Sequence, residues 1–408
     1  MSSKNEQVVK ILRPEYVGKF QCDGHACGSH CCRVWSITFD EETYKRYQKF
    51  PDSKFRARLQ ANLERKEGKP AFKLCKNGDC PMLRMDGLCD IQKNYGEEWL
   101  SITCALFPRV PYTIGLHASM GLTLACPVAR DMILLHPASL HLEKVETTIP
   151  RNAVNVTVPK MSGVVFQFVQ QTAVEILQRK GHTFDQRLLT LGFFLDRLDE
   201  LLEKDTKAEG LLSIADYYTS HEADKLASKV HLDIANHLRF LFGWMNTVQA
   251  KDKADAFYVF KNNVGTSLFG WVSEAYDVKN AENKILRVVK TYINNYEQYA
   301  EKIVKPYGQI LENYLVNEVF VEGFPCKHEG SVLRDYQLFV TDWKLLEFFL
   351  GVWATTHETV LREDVLHILE TIEKAAFHLP GYAEDFLAYS QEKKLPLLQW
   401  MGTMLEGT

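Results

Sequence analysis

From about residue 160 onward, apolar side chains recur every three to four positions, the period of an amphipathic helix. Leu188, Leu191, Leu195, Leu198 and Leu202 form one such stripe, and Ile285, Val288, Tyr292, Tyr296 and Tyr299 form another. Thr183, with Gln186 three residues on, has the spacing of a capping box at the start of the first stripe. Leu345 to Trp353 is apolar nearly all round, interrupted by Glu347, which predicts a helix buried at the centre of a bundle. The back two-thirds of the chain therefore reads as an α-helical body.

The front third reads differently. Gln21 to Cys32 has no hydrophobic period and carries Gly24 and Gly28, so it predicts a loop with tight turns. Val34 to Phe39 alternates weakly, as a short strand would. Helices are expected at 41–49, behind Asp40 as N-cap, and at 53–66. Short helical pieces follow over Leu88–Tyr95 and Glu97–Leu106, then a hairpin over Arg109–Leu124 with Pro111 and Gly115 as punctuation, then a helix over Pro127–Leu135. Pro137, Pro150 and Pro159 mark 137–160 as a looser stretch and a candidate boundary. The expected fold class is mainly α: a cysteine-rich metal-binding region with short strands, residues 1–137, followed by a helical-bundle domain, residues 138–408.

Composition narrows the class without naming a function. The 408 residues are 46% hydrophobic and 25% charged, ordinary globular usage that excludes wholesale disorder. No apolar run reaches the ~18 residues of a membrane span, and Met1 to Gln7 is polar and leads into no signal core. The expectation is a soluble, cytoplasmic protein with no membrane partner. The net charge of −4 conceals an asymmetry: residues 1–130 hold 20 Lys+Arg against 14 Asp+Glu, and the rest hold 28 against 38. No basic run is interleaved with aromatics, so nucleic acid is not an expected partner.

The cysteines carry the chemistry. Nine of the ten lie between positions 22 and 126, spaced Cys22-x4-Cys27-x3-Cys31-Cys32, then Cys75-x4-Cys80-x8-Cys89-x14-Cys104-x21-Cys126. A reducing compartment disfavours a disulfide framework, so thiolate ligation of zinc or iron–sulfur is the better account. The pairs 22/27, 27/31 and 75/80 suit zinc spacing. The adjacent Cys31-Cys32 pair suits one tetrahedral ion poorly, and eight or nine thiols exceed the needs of a single site. Cys326 has no close thiol partner and reads as structural. Tyr44, Tyr47, Trp35 and Trp99 read as aromatic core rather than pocket walls. No two glycines are separated by one residue, and no G-x-S-x-G, H-E-x-x-H or C-x-x-C occurs, which leaves nucleotide loops, hydrolase elbows and thioredoxin motifs unsupported.

Five ordered blocks then combine: Phe20-Gln-Cys22 with Cys27 and Cys31-Cys-Arg-Val-Trp35; Cys80-Pro-Met-Leu83; Leu88-Cys-Asp-Ile91; Leu100-Ser-Ile-Thr-Cys104 running into Phe107-Pro-Arg109; and Leu124-Ala-Cys-Pro127 ending in Ala129-Arg130. Together they resemble the flagellin lysine N-methylase (FliB) family over about the first 130 residues. A fainter echo lies at Asn313-Tyr-Leu-Val-Asn317. They resemble more loosely the wider group of cysteine-rich zinc- or iron-chelating proteins. The FliB resemblance implies methyl transfer from S-adenosylmethionine to lysine side chains of flagellin, with an iron–sulfur cluster, 4Fe-4S in type. On that pattern Cys22, Cys27, Cys31, Cys32, Cys80, Cys89, Cys104 and Cys126 are the ligand candidates and Cys75 falls outside. Arg109 and Arg130 are candidates for clamping the donor's carboxylate, and the acidic helical domain for recognising the substrate. The rival expectation is a non-catalytic zinc- or iron-chelating protein for delivery, sensing or interaction.

Overall fold

Val9 and Ile11 alternate inward on β1 (Glu6–Pro14), and this strand organises a four-stranded sheet. In this computed structural model the described residues are 6–150, apart from 25, 29, 34–36 and 67, and 161–407, apart from 205–209, 252–280, 328–330 and 374–380. Two further strands, β2 (Leu63–Lys66) and β3 (Lys69–Phe72), form a separate hairpin; β4 (Arg109–Ile114), β5 (His117–Leu122) and β6 (Leu142–Pro150) join β1 in the order β4-β5-β1-β6. The hairpin expected over Arg109–Leu124 is β4–β5, turned at Gly115 (φ +62°). β1 runs parallel to β5, with Ile11 opposite Ala118, and antiparallel to β6, from Glu6 opposite Pro150 to Pro14 opposite Leu142.

Two expectations are corrected. The looser stretch 137–160 contains β6, whose residues alternate from partly covered Val145 and Thr147 to buried Ile149 on one face and exposed Glu146 and Thr148 on the other, as an edge strand with one wet face does. The helix expected over 53–66 stops at Ala61; Leu63–Lys66 instead turns through Gly68 (φ +81°) into β3, burying Ala71 and Phe72. The strand expected over Val34–Phe39 falls partly outside the described residues. The Asp40 cap is as expected, accepting from the Thr43 amide at 2.8 Å.

The cysteine-rich region has a small aromatic core of its own, separate from the main one, built on Phe39, Tyr47, Phe50, Phe55 and Phe72. Tyr47 stacks on Phe72 with ring centroids 5.8 Å apart, and Trp99 packs on Phe50 at 4.3 Å. Tyr47 and Trp99 are thus core residues, and Trp35 lies outside the described residues.

The main core joins the sheet to the helices. From the helix Gly163–Leu177, Gln167 Nε2 donates to the carbonyls of Lys10 (2.7 Å) and Ala118 (2.6 Å), clamping β1 to β5. Gln170 Nε2 reaches Ser119 Oγ and the Val319 carbonyl, both at 3.2 Å, the latter on the helix Lys305–Val321. The capping box at Thr183 forms reciprocally, Thr183 N to Gln186 Oε1 at 3.0 Å and Gln186 N to Thr183 Oγ1 at 3.2 Å. Leu188, Leu191, Leu195, Leu198 and Leu202 are all buried along Phe184–Lys204. The helix Val332–Thr356 buries Leu345, Leu346, Phe348, Phe349 and Leu350, as its all-round apolarity predicts. No described helix is long and apolar enough to cross a membrane.

Sheet and helix meet most closely at Gly121, where a Cβ would lie 2.8 Å from Val321 Cγ2 and 2.9 Å from the Val321 backbone nitrogen. Backbone cannot yield as a flexible side chain can, so Gly121→Ala is expected to destabilise the protein by about 1–3 kcal/mol. A lowered urea midpoint at unchanged m would register it; an unchanged midpoint would mean the strand and helix separate freely.

Candidate metal centre

Four short segments bring thiols together. Cys31 and Cys32 sit on one 3₁₀ turn, His30–Cys32, with their sulfurs 4.0 Å apart. The Cys32 carbonyl accepts the Cys80 amide at 2.8 Å, and Arg33 pairs with Asp79 across an isolated bridge, so the first cysteine loop is knitted to the second. Cys75 and Cys80 flank a turn closed by Gly78 N to the Cys75 carbonyl (2.9 Å), with Gly78 at φ +83°. Cys89 bridges to Leu83 and immediately precedes the helix Asp90–Tyr95. Buried Asp90 fixes that start: its amide donates to the Met82 carbonyl, and its carboxylate pairs with Arg58 and, at 3.2 Å, with Arg84. Cys104 lies on the short helix Ile102–Leu106, capped by Ser101.

Electrostatics divides the eight candidate ligands into two neighbourhoods. In the first, Cys32 is raised by Cys31, Cys80 and Cys89, Cys104 by Cys89, Cys80 and Cys31, Cys89 by Cys31, and Cys80 by Cys89, the exposed Cys75 and Cys31. Burial first, and then the Cys89 and neighbouring thiols, push Cys80 up to about 11 and Cys104 up to about 12. Within the adjacent pair, the hydrogen bond between the sulfurs lowers Cys31 to about 7 and raises Cys32. Cys126, at the N-terminus of the helix Pro127–Leu134, is raised by burial and then by Cys27 and Cys22, its partners in the second neighbourhood. Such mutual repulsion is relieved when a cation takes up the thiolates.

The donor set also discriminates by size. Zn–S bonds of ~2.3 Å place the sulfurs of a zinc tetrahedron about 3.8 Å apart. Among the described residues, no three cysteine sulfurs lie within 4.8 Å of one another.

The remaining candidates are placed as follows. Arg109 donates to the Phe20 carbonyl at 3.2 Å and covers the Phe20 ring, beside the Cys22 loop. Arg130 pairs with Asp131 and with Glu370 on the helix Arg362–Ile372, so its guanidinium is already engaged by two carboxylates. Cys75 is exposed, whereas Cys326 is buried against the Met161 sulfur at 3.5 Å. The Asn313–Asn317 echo is interior: Asn317 Oδ1 accepts from the Tyr16 hydroxyl, and Asn313 Nδ2 donates to the His136 carbonyl at 2.9 Å.

Two polar groupings escaped the sequence. Asp224 Oδ2 meets His182 Nε2 at 3.0 Å and His221 Nδ1 at 3.3 Å, while Arg179 holds Oδ1 at 2.7 Å and already neutralises the carboxylate. Lys344 is buried between Asp185 (3.1 Å to both oxygens) and Glu347 (2.6 Å). The sole sequence signal for the second was a lysine and a glutamate one turn apart in an otherwise apolar helix.

Fold and site together define a mainly helical protein with a cysteine-rich N-terminal module. The family profile for the FliB lysine N-methylase C-terminal domain matches residues 170–402, more than half of the chain, and the chain belongs to the FliB lysine N-methylase family. It is 36% identical over 139 residues to the flagellar biosynthetic protein FliU of Salmonella muenchen, covering 33% of this chain and 82% of that protein. It is 35% identical over 152 residues to the lysine-N-methylases of Salmonella typhimurium and Salmonella choleraesuis, covering 36% of this chain and 37% of theirs. The chain thus spans little more than a third of the length of the lysine-N-methylases it matches. No solved structure matches it.

Proposed function

We propose that this protein is a cytoplasmic lysine N-methyltransferase that moves methyl groups from S-adenosylmethionine to lysine side chains of flagellin, and that its cysteine module holds an iron–sulfur cluster. Family membership carries the activity: the helical body matches the lysine N-methylase domain, and two relatives bear that name. The flagellar name of FliU supports the substrate. The convergence of Cys31, Cys32, Cys80, Cys89 and Cys104 supports the cluster, with Cys22, Cys27 and Cys126 as a second thiol group beside it.

The donor, when bound, supplies an electrophilic sulfonium methyl group. The chain must then provide three things. The acceptor amine has to be neutral, although its ordinary pKa is ~10.4, so it needs a desolvating site or a neighbouring base. The sulfonium calls for aromatic faces or carboxylates, and the donor's own carboxylate for a guanidinium or backbone amides. Arg109 is the better placed of the two arginines for that last task, since Arg130 is held by Glu370 and Asp131.

Anaerobic purification followed by iron and acid-labile sulfide analysis tests the metal. About four of each per chain is the expected result for one 4Fe-4S cluster. Transfer of labelled methyl from S-adenosylmethionine to purified flagellin tests the reaction. Zinc alone, without sulfide, would remove the cluster; a cluster-loaded protein inert on flagellin and on other lysine-rich proteins would remove the methylase.

A further inference from the structure

The helical body holds a partly open cavity of about 270 Å³ between the start of Phe184–Lys204, the helix Ala281–Tyr299 with its continuation, the helix Lys305–Val321 and the helix Val332–Thr356. That continuation is irregular. Ala300–Val304 is a π-helical turn, a geometry concentrated at functional sites, and both Ala300 and Val304 face the cavity. Phe184, Val304 and Ala300 make part of the wall apolar. Tyr296 stands at the rim, 39% exposed.

Two observations point to a guest. Tyr299 lines the cavity with its hydroxyl fully buried and without a hydrogen-bond partner among the described residues. A buried hydroxyl left unpaired costs about 1–3 kcal/mol, a deficit that a bound donor or acceptor removes. Beside it, Lys344 is flanked by two carboxylates, Asp185 and Glu347, a trio with one net negative formal charge. Glu347 meets Lys344 through Oε1 alone, and Oε2 has no partner among the described residues. At the other end, Lys180 and Arg187 both pair with Glu312, leaving one net positive formal charge there, so the cavity is polarised with its negative end at Asp185 and Glu347. The Tyr296 ring already faces one ammonium group, that of Lys344 at 5.9 Å, the kind of contact a guest cation would add to, and the apolar wall suits a methylene stem.

We infer that this cavity is the acceptor pocket, taking the side chain of a substrate lysine with its ammonium group between Tyr296, Tyr299 and Glu347. The inference rests on the methylase reading for the identity of its guest. A partly apolar wall ending in a single buried, unpaired hydroxyl suits a methylene stem carrying one polar head group. The pocket sits within residues 170–402, the stretch matched by the family's C-terminal domain.

Gly308 supplies a clean probe. It lines the cavity, and a Cβ built on it meets nothing within 4 Å, so a larger side chain there fills space without straining the fold. The purified, metal-loaded protein would be titrated with Nα-acetyl-lysine N-methylamide, its uncharged norleucine analogue and S-adenosylmethionine, followed by saturation-transfer NMR and calorimetry. The lysine probe should bind at least about tenfold more tightly than the norleucine analogue. Gly308→Leu and Tyr299→Phe should each weaken it about tenfold or more, roughly the worth of one hydrogen bond to a charged group. Circular dichroism and iron content should not change.

Lysine-probe affinity that is unaltered by Gly308→Leu, or equal for the norleucine analogue, overturns the pocket. Weakening of S-adenosylmethionine instead of the lysine probe also overturns it, by assigning the cavity to the donor. Methyl transfer, assayed separately, keeps the two readings apart. A protein that binds the lysine probe in a Gly308-dependent way but transfers nothing retains the pocket and loses the methylase. Transfer undiminished by Gly308→Leu does the reverse.

Discussion

Cys89→Ser and Cys104→Ser proteins are expected to purify with less than about a tenth of the wild-type iron and sulfide, whereas Cys75→Ser should retain nearly all of it. Outer-shell partners of a metal typically govern 10–100-fold in affinity, and a direct thiolate more. The contrast follows from placement. Cys89 and Cys104 are drawn from two different helix starts into one neighbourhood with Cys31, Cys32 and Cys80, and each is held there by a specific anchor: Asp90 with its two arginines, and the Ser101 cap. Cys75 is exposed at the base of a turn. Iron analysis and the visible spectrum of the three variants decide the matter. Full iron in Cys89→Ser, or its loss in Cys75→Ser, would place the centre elsewhere.

Lys344→Met should be the most destabilising single change in the helical body, at roughly 3–5 kcal/mol, because it leaves two buried carboxylates without their cation. The loss should depend on pH. Burial raises Glu347 to about 7 even though Lys344 attracts its charged form. A carboxyl whose folded pKa lies above its unfolded value binds more protons in the folded state, so its contribution to stability falls as pH rises from about 4.5 to 7. Removing Lys344 withdraws the attraction and deepens that fall. Chemical denaturation of wild type and variant at pH 5 and pH 8 should therefore show the larger difference at pH 8. An equal difference at both would mean the variant's carboxylates reach water.

The Asp185–Lys344–Glu347 trio also shows where sequence reading stops. Lys344 and Glu347 are legible as charges in an apolar helix, and Asp185 as an acidic residue in a first turn, but 159 residues separate Asp185 from Lys344. Nothing local states that they meet. The cavity beside them is assembled from four helices and the turn Ala300–Val304, and its unpaired Tyr299 hydroxyl reads in the sequence as one more position in an amphipathic stripe.

The cysteine module lies nearer the legible end. Its cysteines, their order and their spacing are visible directly, because nine of the ten fall between positions 22 and 126. Its subdivision is not visible: that Cys126 feels the charge of Cys22 and Cys27 depends on how the β4–β5 hairpin returns the chain. The same hairpin was readable from Pro111 and Gly115, whereas β1 and β6 were not. Turn chemistry is local, but β1 earns its place through partners at positions 117–119 and 142–150.

The sequence alone determined the helical body, its capping box and leucine stripes, the central apolar helix, the cysteine inventory and the resemblance to the FliB family. These rest on periodicities and ligand spacings within a few turns of chain. Only the tertiary structure decided the sheet order, the separation of the thiols into two neighbourhoods, the engagement of Arg130 by Glu370 and the cavity around Tyr299. Each of these depends on contacts between distant segments, where burial and charge are fixed by what the fold brings alongside.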